Sequence, residues 1–246
     1  MYIDNCKKYK QEIVDRFDYA VSVDNFFSNE ELDTLLLLQF KLAERIKWTP
    51  TSNNIQPLCD VDTLISHIPW FEERMIEHIG EFAKNHSGNY YITTQLHDAH
   101  VDLLTEKECN EYEWSNNVIP YKSCVIPLLI TEGAEAYTAF FNQRHIGNSI
   151  TLDRVSISSQ DNSDYTISRE YPEFTVFGSS KETDVLFPHI PEENLKGLSI
   201  ETVLNFQPGS IMIFDACQIH ASCVSKNRPN YRWLKSGINI QFYKEI

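Results

Sequence analysis

Residues 93–104 read TTQLHDAHVDLL. The stretch has the apolar and β-branched texture of a buried strand, yet it carries His97, Asp98, His100 and Asp102. Residues two apart on a strand share a face. An imidazole nitrogen beside a carboxylate oxygen can hold one metal ion, so His100 and Asp102 form a candidate ligand pair. Asp98 and His100 share that spacing, and spacing alone does not choose between the two carboxylates. His97 is expected to face away from His100.

Two histidines and one carboxylate form a triad that leaves coordination positions open on Fe(II). A third ligand is therefore expected far along the chain, because sheets bring distant strands together. The stretch PGSIMIFDACQIHASC (208–223) supplies it. A Pro-Gly turn leads into an apolar strand ending at Asp215, and His220 comes next beside the small residues Ala221 and Ser222. Asp215 is expected to serve a turn or a neighbouring group rather than the metal. Farther on, RWLKSGINIQFY (232–243) reads as a closing strand with Lys235, Gly237 and Asn239 on one face. A buried cation beside a small residue suits a carboxylate held by a charge-assisted contact.

These residues need a scaffold. The segment 26–48 opens with Ser28 and Glu31 at capping-box spacing and continues with leucines at three- and four-residue steps, which predicts a helix. A second helix is predicted over 69–86, with Pro69 at its first position and Gly88 just past its end. After Gly88 the texture changes to short β-rich segments separated by turns, including YKSCVIPLLI, EAYTAFFNQ, FTVFG and GSIMIFDA. The expected architecture is mainly β with N-terminal helices. It is organised as a single domain over 1–246, with a helical support region (1–87) and a β core (88–246). Residues 142–205 are polar and irregular and are expected to form a long insert or lid. Within TEGAEAYTAFFNQRHIG (131–147), Gln143 and Arg144 are candidate substrate contacts at the rim.

Composition narrows the partners. The 246 residues carry 35 acidic and 21 basic side chains, a formal net charge of −14. Without a basic stripe, such a surface disfavours nucleic acid. No apolar run is long enough to cross a bilayer, and no secretory leader pattern opens the sequence. The six cysteines are scattered without a CxxC pair, which predicts free thiols and a cytoplasmic setting.

Taken in order, the HxD pair, the Pro-Gly entry to an apolar strand, the later histidine and the basic-x-small pattern resemble the Fe(II)/2-oxoglutarate-dependent oxygenases. The spacing of the last parts is similar to the phytanoyl-CoA hydroxylase-like and prolyl-hydroxylase-like branches. The resemblance covers roughly residues 88–243. It implies a double-stranded β-helix, a cupin-like jelly roll. It implies iron on His100, Asp102 and His220, and the far carboxylate of 2-oxoglutarate on Lys235. It further implies an O2-consuming hydroxylase that releases succinate and CO2. A small molecule is the expected substrate, with a protein side chain as the other candidate. The sequence departs from the family's usual Arg with Ser or Thr two residues on, because it has Lys235 and Gly237. Arg232 is the alternative anchor, and Ser222 or Tyr91 could supply the missing hydroxyl. The competing readings are a cupin-like metalloprotein and a jelly-roll binding module, neither of which would use 2-oxoglutarate.

Overall fold

The computed structural model describes residues 18–45, 55–60, 66–80, 86–93, 96–102, 118–131, 135–146, 165–168, 186–195, 198–223 and 234–245. Ten strands appear among them: β1 (Val21–Val23), β2 (Ile55–Asp60), β3 (His86–Thr93), β4 (Val118–Ile130), β5 (Tyr137–Ile146), β6 (Tyr165–Ser168), β7 (Ile200–Asn205), β8 (Ile211–Asp215), β9 (Gln218–Cys223) and β10 (Lys235–Glu245). Three helices accompany them: α1 (Asn29–Arg45), α2 (Pro69–Ile79) and the short α3 (Glu192–Leu195).

One sheet has the order β1-β8-β4-β10-β3-β2. In the other, β5 pairs with β6, β7 and β9, and an isolated bridge between His100 and His220 adds the 97–102 segment beside β9. All the named pairings are antiparallel. From β3 onward the chain visits the sheets in the order β3, His100 segment, β4, β5, β6, β7, β8, β9, β10. The resulting neighbours are β8-β4-β10-β3 in one sheet and β7-β5-β9-His100 in the other. This is the double-sheet jelly roll that the sequence predicts.

Alternation along the strands sorts three cores. Met212 and Phe214 of β8 point between the sheets, where they meet Phe140, Phe206 and Leu204. Ile211 and Ile213 point outward to a second cluster with Leu35 of α1 and Phe71 and Met75 of α2. Ile238, Ile240 and Phe242 of β10 join that outer cluster, so both helices cover the back of the six-stranded sheet. The third cluster lies on the other sheet's outer face and includes Ala139, Phe141, Ile219, Ala221, Phe187, Ile190 and Leu195.

The capping box forms as expected: the Ser28 amide donates to Glu31 Oε2 at 2.8 Å, and the Glu31 amide donates to Ser28 Oγ at 3.2 Å. Other boundaries move. Helix α2 stops at Ile79, where Gly80 takes φ 92° and its amide bonds Ile76 O at 2.8 Å. Gly80, rather than Gly88, ends the helix, because a positive φ there suits glycine. Gly88 instead lies inside β3. The N-terminal third is not purely helical, since β1 and β2 form the two edges of the larger sheet. The expected 142–205 insert also shrinks: its first residues belong to β5 and its last to β7. Its described portion around Phe187–Leu198 packs on the outer face of the smaller sheet, as a back cover. Residues 147–164 and 169–185 lie outside the described set.

Candidate metal centre

The continuous strand expected through His100 ends at Thr93. The segment around His100 is instead tied to β9 by backbone bonds. His100 N donates to His220 O and His220 N to His100 O, both at 2.9 Å, and Ser222 N donates to His97 O at 3.1 Å. The alternation survives this change. Ala99 and Val101 enter the outer core, as do Ile219 and Ala221 of β9, which leaves the intervening His100, Asp102 and His220 side chains for the opposite face. Ala221 therefore does not make room at the site; Ser222 is the small residue on that side.

The structure brings His100, Asp102 and His220 together, with one ligand atom from each lying within 4.8 Å of the others. His100 Nε2 is 3.9 Å and His220 Nε2 is 3.7 Å from Asp102 Oδ1. Ligand atoms about 2.1 Å from one ion and at right angles stand roughly 3 Å apart, so a small contraction closes the set. Asp98 is exposed, and its contribution is its carbonyl oxygen rather than its carboxylate. Of the two carboxylates that spacing left open, Asp102 is the one that lies beside both imidazoles.

Tautomers are fixed by the backbone. His100 Nδ1 lies 2.7 Å from Asp98 O, and His220 Nδ1 lies 3.0 Å from Gln218 O. A carbonyl only accepts, so each Nδ1 carries the proton and each Nε2 presents a lone pair toward Asp102. Burial, aided by the neighbouring His100, pushes His220 down to about 4, which keeps it in the neutral, ligating form. Phe140 and Phe214 pack on its ring at 5.7 and 4.8 Å between centroids.

Asp102 is held from β10. Asn239 Nδ2 donates to its Oδ1 at 3.3 Å, and Gln241 Nε2 donates to its carbonyl oxygen. Its Oδ2 is buried and has no hydrogen-bond partner among the described residues. Gln241 is absent from the sequence-based set, although extending the alternation from Lys235 through Asn239 reaches it. The inner face of β10 begins at Lys235, which is buried, with Nζ 3.5 Å from Ser222 Oγ and 4.9 Å from the centre of the Phe206 ring. Desolvation lowers its pKa to about 8. Gly237 comes next on the same face, opposite Tyr91 of β3. Arg232, the alternative anchor, lies outside the described residues.

Arg144 and Gln143 are corrected. Arg144 is fully buried, with Nε 3.0 Å from Asp215 Oδ2, Nη1 3.1 Å from Phe141 O, Nη2 2.7 Å from Asp18 O and Glu201 Oε2 at 3.8 Å. Its guanidinium is consumed by the fold and cannot meet a substrate. Gln143 is buried too, exchanging hydrogen bonds with Ser199 through both ends of its amide. Asp215 is the counter-charge of Arg144 and of Lys122, and it stands apart from the triad.

No protein-family model matches the chain, and no curated protein does. Solved structures resemble it at low identity. The non-heme alpha ketoglutarate dependent epimerase SnoN from nogalamycin biosynthesis aligns over 96% of this chain and 80% of its own, with a TM-score of 0.49 and 9% identity. A Pseudomonas putida prolyl-4-hydroxylase aligns over 97% and 98%, with a TM-score of 0.42 and 6% identity. HygX from Streptomyces hygroscopicus, with nickel and 2-oxoglutarate bound, aligns over 97% and 86%, with a TM-score of 0.44 and 9% identity.

Proposed function

We propose that this protein is an Fe(II)- and 2-oxoglutarate-dependent oxygenase that hydroxylates a small molecule. The observation that carries the reading is the convergence of two Nε2 lone pairs and one buried carboxylate inside a jelly roll. Such a set leaves three positions open on a divalent ion and suits non-heme Fe(II). The residues fit the ion, because Asp102 Oδ2 is buried without a partner among the described residues and both imidazoles are held in the ligating tautomer. His100, Asp102 and His220 would hold the metal.

When bound, Fe(II) with 2-oxoglutarate and O2 supplies an oxidant for a C–H bond and yields succinate and CO2. The chain's own part is positioning. Asn239 and Gln241 fix Asp102, and the carbonyls of Asp98 and Gln218 orient the imidazoles. Phe140 and Phe214 keep water from His220. Lys235 offers a desolvated cation to a carboxylate, with Ser222 beside it. A buried lysine on the inner face of β10 suits a co-substrate that carries a carboxylate.

A single domain over 1–246 and a cytoplasmic setting belong to the same reading; the buried free thiols Cys124, Cys217 and Cys223 support the latter. Among the described residues no helix is long and apolar enough to cross a membrane.

The test is an anaerobic titration with Fe(II) and then 2-oxoglutarate, tracking the visible charge-transfer band of a chelated 2-oxo acid. Appearance of the band supports the reading, and succinate release then separates small-molecule substrates from peptides. Iron binding without a band returns the protein to the metalloprotein alternative. Absence of iron binding removes the reading altogether.

A further inference from the structure

Asp102 lies just past the end of its own ladder. The backbone bonds that tie the 97–102 segment to β9 stop at His100, and Val101 and Asp102 pair with no strand among the described residues. Asp102 is caught instead from the opposite sheet, and at two points. Asn239 Nδ2 reaches Oδ1 at 3.3 Å, and Gln241 Nε2 reaches the carbonyl oxygen. A hold on the carboxylate alone would leave the main chain behind it free to shift. The Gln241 contact fixes that main chain, and with it the separation of Oδ1 from the two Nε2 atoms at 3.7 and 3.9 Å.

What holds Gln241 lies farther along the strand. The two ends of an amide are nearly alike in shape, so its partners decide which end faces Asp102. A carbonyl only accepts, so Nε2 faces Asp102 O and Oε1 faces away. Tyr243 Oη is 3.3 Å from that Oε1. An amide oxygen only accepts as well, so the phenol uses its single proton there. Ser87 Oγ of β3 is 2.9 Å from Tyr243 Oη and is left to be the donor. The sheet register sets Ser87 opposite Gln241. The hydrogen bonds therefore run one way, from Ser87 to Tyr243 to Gln241 to Asp102, and each polarises the next. The series begins at an exposed serine and ends on the main chain of a metal-binding residue.

Resting on the metal site of the reading above, we infer that Tyr243 and Ser87 are positioning residues for the metal, acting through Gln241. They keep the Gln241 amide turned so that its N–H docks the Asp102 segment of one sheet onto β10 of the other. Without the Tyr243 hydroxyl the amide can turn over, and its oxygen then faces the Asp102 carbonyl oxygen, which repels it.

The experiment is anaerobic equilibrium dialysis of the metal-free full chain against Fe(II), for the wild type, Tyr243→Phe, Gln241→Leu and the double variant. Melting temperatures of the metal-free proteins are measured in parallel. Gln241→Leu is expected to lose about tenfold in Fe(II) affinity. Tyr243→Phe is expected to lose about fivefold, the worth of one hydrogen bond, while its melting temperature holds. In the double variant Tyr243→Phe should add nothing, because the amide it acts through is gone. A Tyr243→Phe affinity within about twofold of the wild type overturns the inference. So does a loss that persists in the Gln241→Leu background, which would place Tyr243 in the fold alone. No Fe(II) binding by the wild type fails the oxygenase reading itself. If Tyr243→Phe or Gln241→Leu misfolds, Ser87→Ala decides, since Ser87 is exposed. Fe(II) affinity weakened by more than about twofold then supports the inference, and a smaller change overturns it.

Discussion

On the proposed oxygenase reading, the buried ammonium of Lys235 would make the affinity for 2-oxoglutarate depend on pH in a direction that can be worked out. Desolvation holds its pKa at about 8 in the free protein. It is therefore ~90% charged at pH 7 and ~10% charged at pH 9. If only the charged form accepts the far carboxylate, the apparent Kd equals the intrinsic Kd divided by that fraction. The Kd should then rise about tenfold between those two pH values, while His220, with its pKa near 4, stays neutral throughout. Lys235→Arg supplies the control, because a guanidinium keeps its charge across the range. Whatever its affinity at pH 7, its profile should be flat over the same window. Calorimetric titration at constant ionic strength measures both. A flat wild-type profile, or an identical slope in Lys235→Arg, would show that Lys235 does not hold the acid.

The same lysine is expected to destabilise the apo-protein. Its folded pKa lies below the ordinary 10.5, so at pH 7 it costs the fold up to about 3 kcal/mol, a cost relieved as pH rises from 8 towards 10. Lys235→Met should raise urea resistance at pH 7 by about 1–3 kcal/mol, and an unchanged midpoint would contradict the buried-charge account. His100→Ala and His220→Ala should each abolish stoichiometric Fe(II) binding, measured by equilibrium dialysis under anaerobic conditions, with folding intact by circular dichroism. Fe(II) at about 100 times its Kd should stabilise the wild type by about 2.7 kcal/mol, seen as a melting shift of roughly 5–10 °C that His220→Ala lacks. Arg144→Met leaves Glu201 buried without its cation and Asp215 with Lys122 alone, at 3.6 Å, and should cost about 3–5 kcal/mol of stability in denaturant titration. If it instead folds normally and raises only a substrate KM, the structural assignment of Arg144 is wrong.

The parts of the site that are legible in the sequence are those whose chemistry is rare in their setting. A histidine and a carboxylate two apart in an apolar stretch, a later histidine after a Pro-Gly turn and a lone lysine opening a closing strand are each unusual for a buried strand. Arg144 misleads because a polar cluster at a strand end looks like a rim, while its counter-charge Asp215 is 71 residues away and visible only after folding. Gln241 shares that obstacle, since its meaning depends on a loop docking against β10; Tyr91 is named from the sequence as one of two candidate hydroxyls, and only the β3–β10 register places it opposite Gly237. Gly80 and Gly88 carry the same local helix-ending signal, and only the folded chain shows that the first takes the positive φ while the second pairs within β3. The edge strands β1 and β2 are short and are stabilised by pairing rather than by their own pattern.

Strand β10 explains how the fold tolerates such a site. Its outer face, Ile238, Ile240 and Phe242, is buried against both helices. Its inner face, Lys235, Gly237, Asn239 and Gln241, holds a desolvated cation, a space against the Tyr91 phenol and two amides bonded to Asp102. The apolar face stabilises and the polar face destabilises, and both are carried by one backbone with one register. Register slippage by a single residue would exchange the faces, which removes the site and the core together. The long ladder that β10 makes with β4 on one side and β3 on the other prevents this, and it does so at Lys235 and Gly237, which have paired residues on both neighbours. The cation is thus placed by the same contacts that hold the sheet, and its cost is offset by the apolar burial on the strand's opposite side.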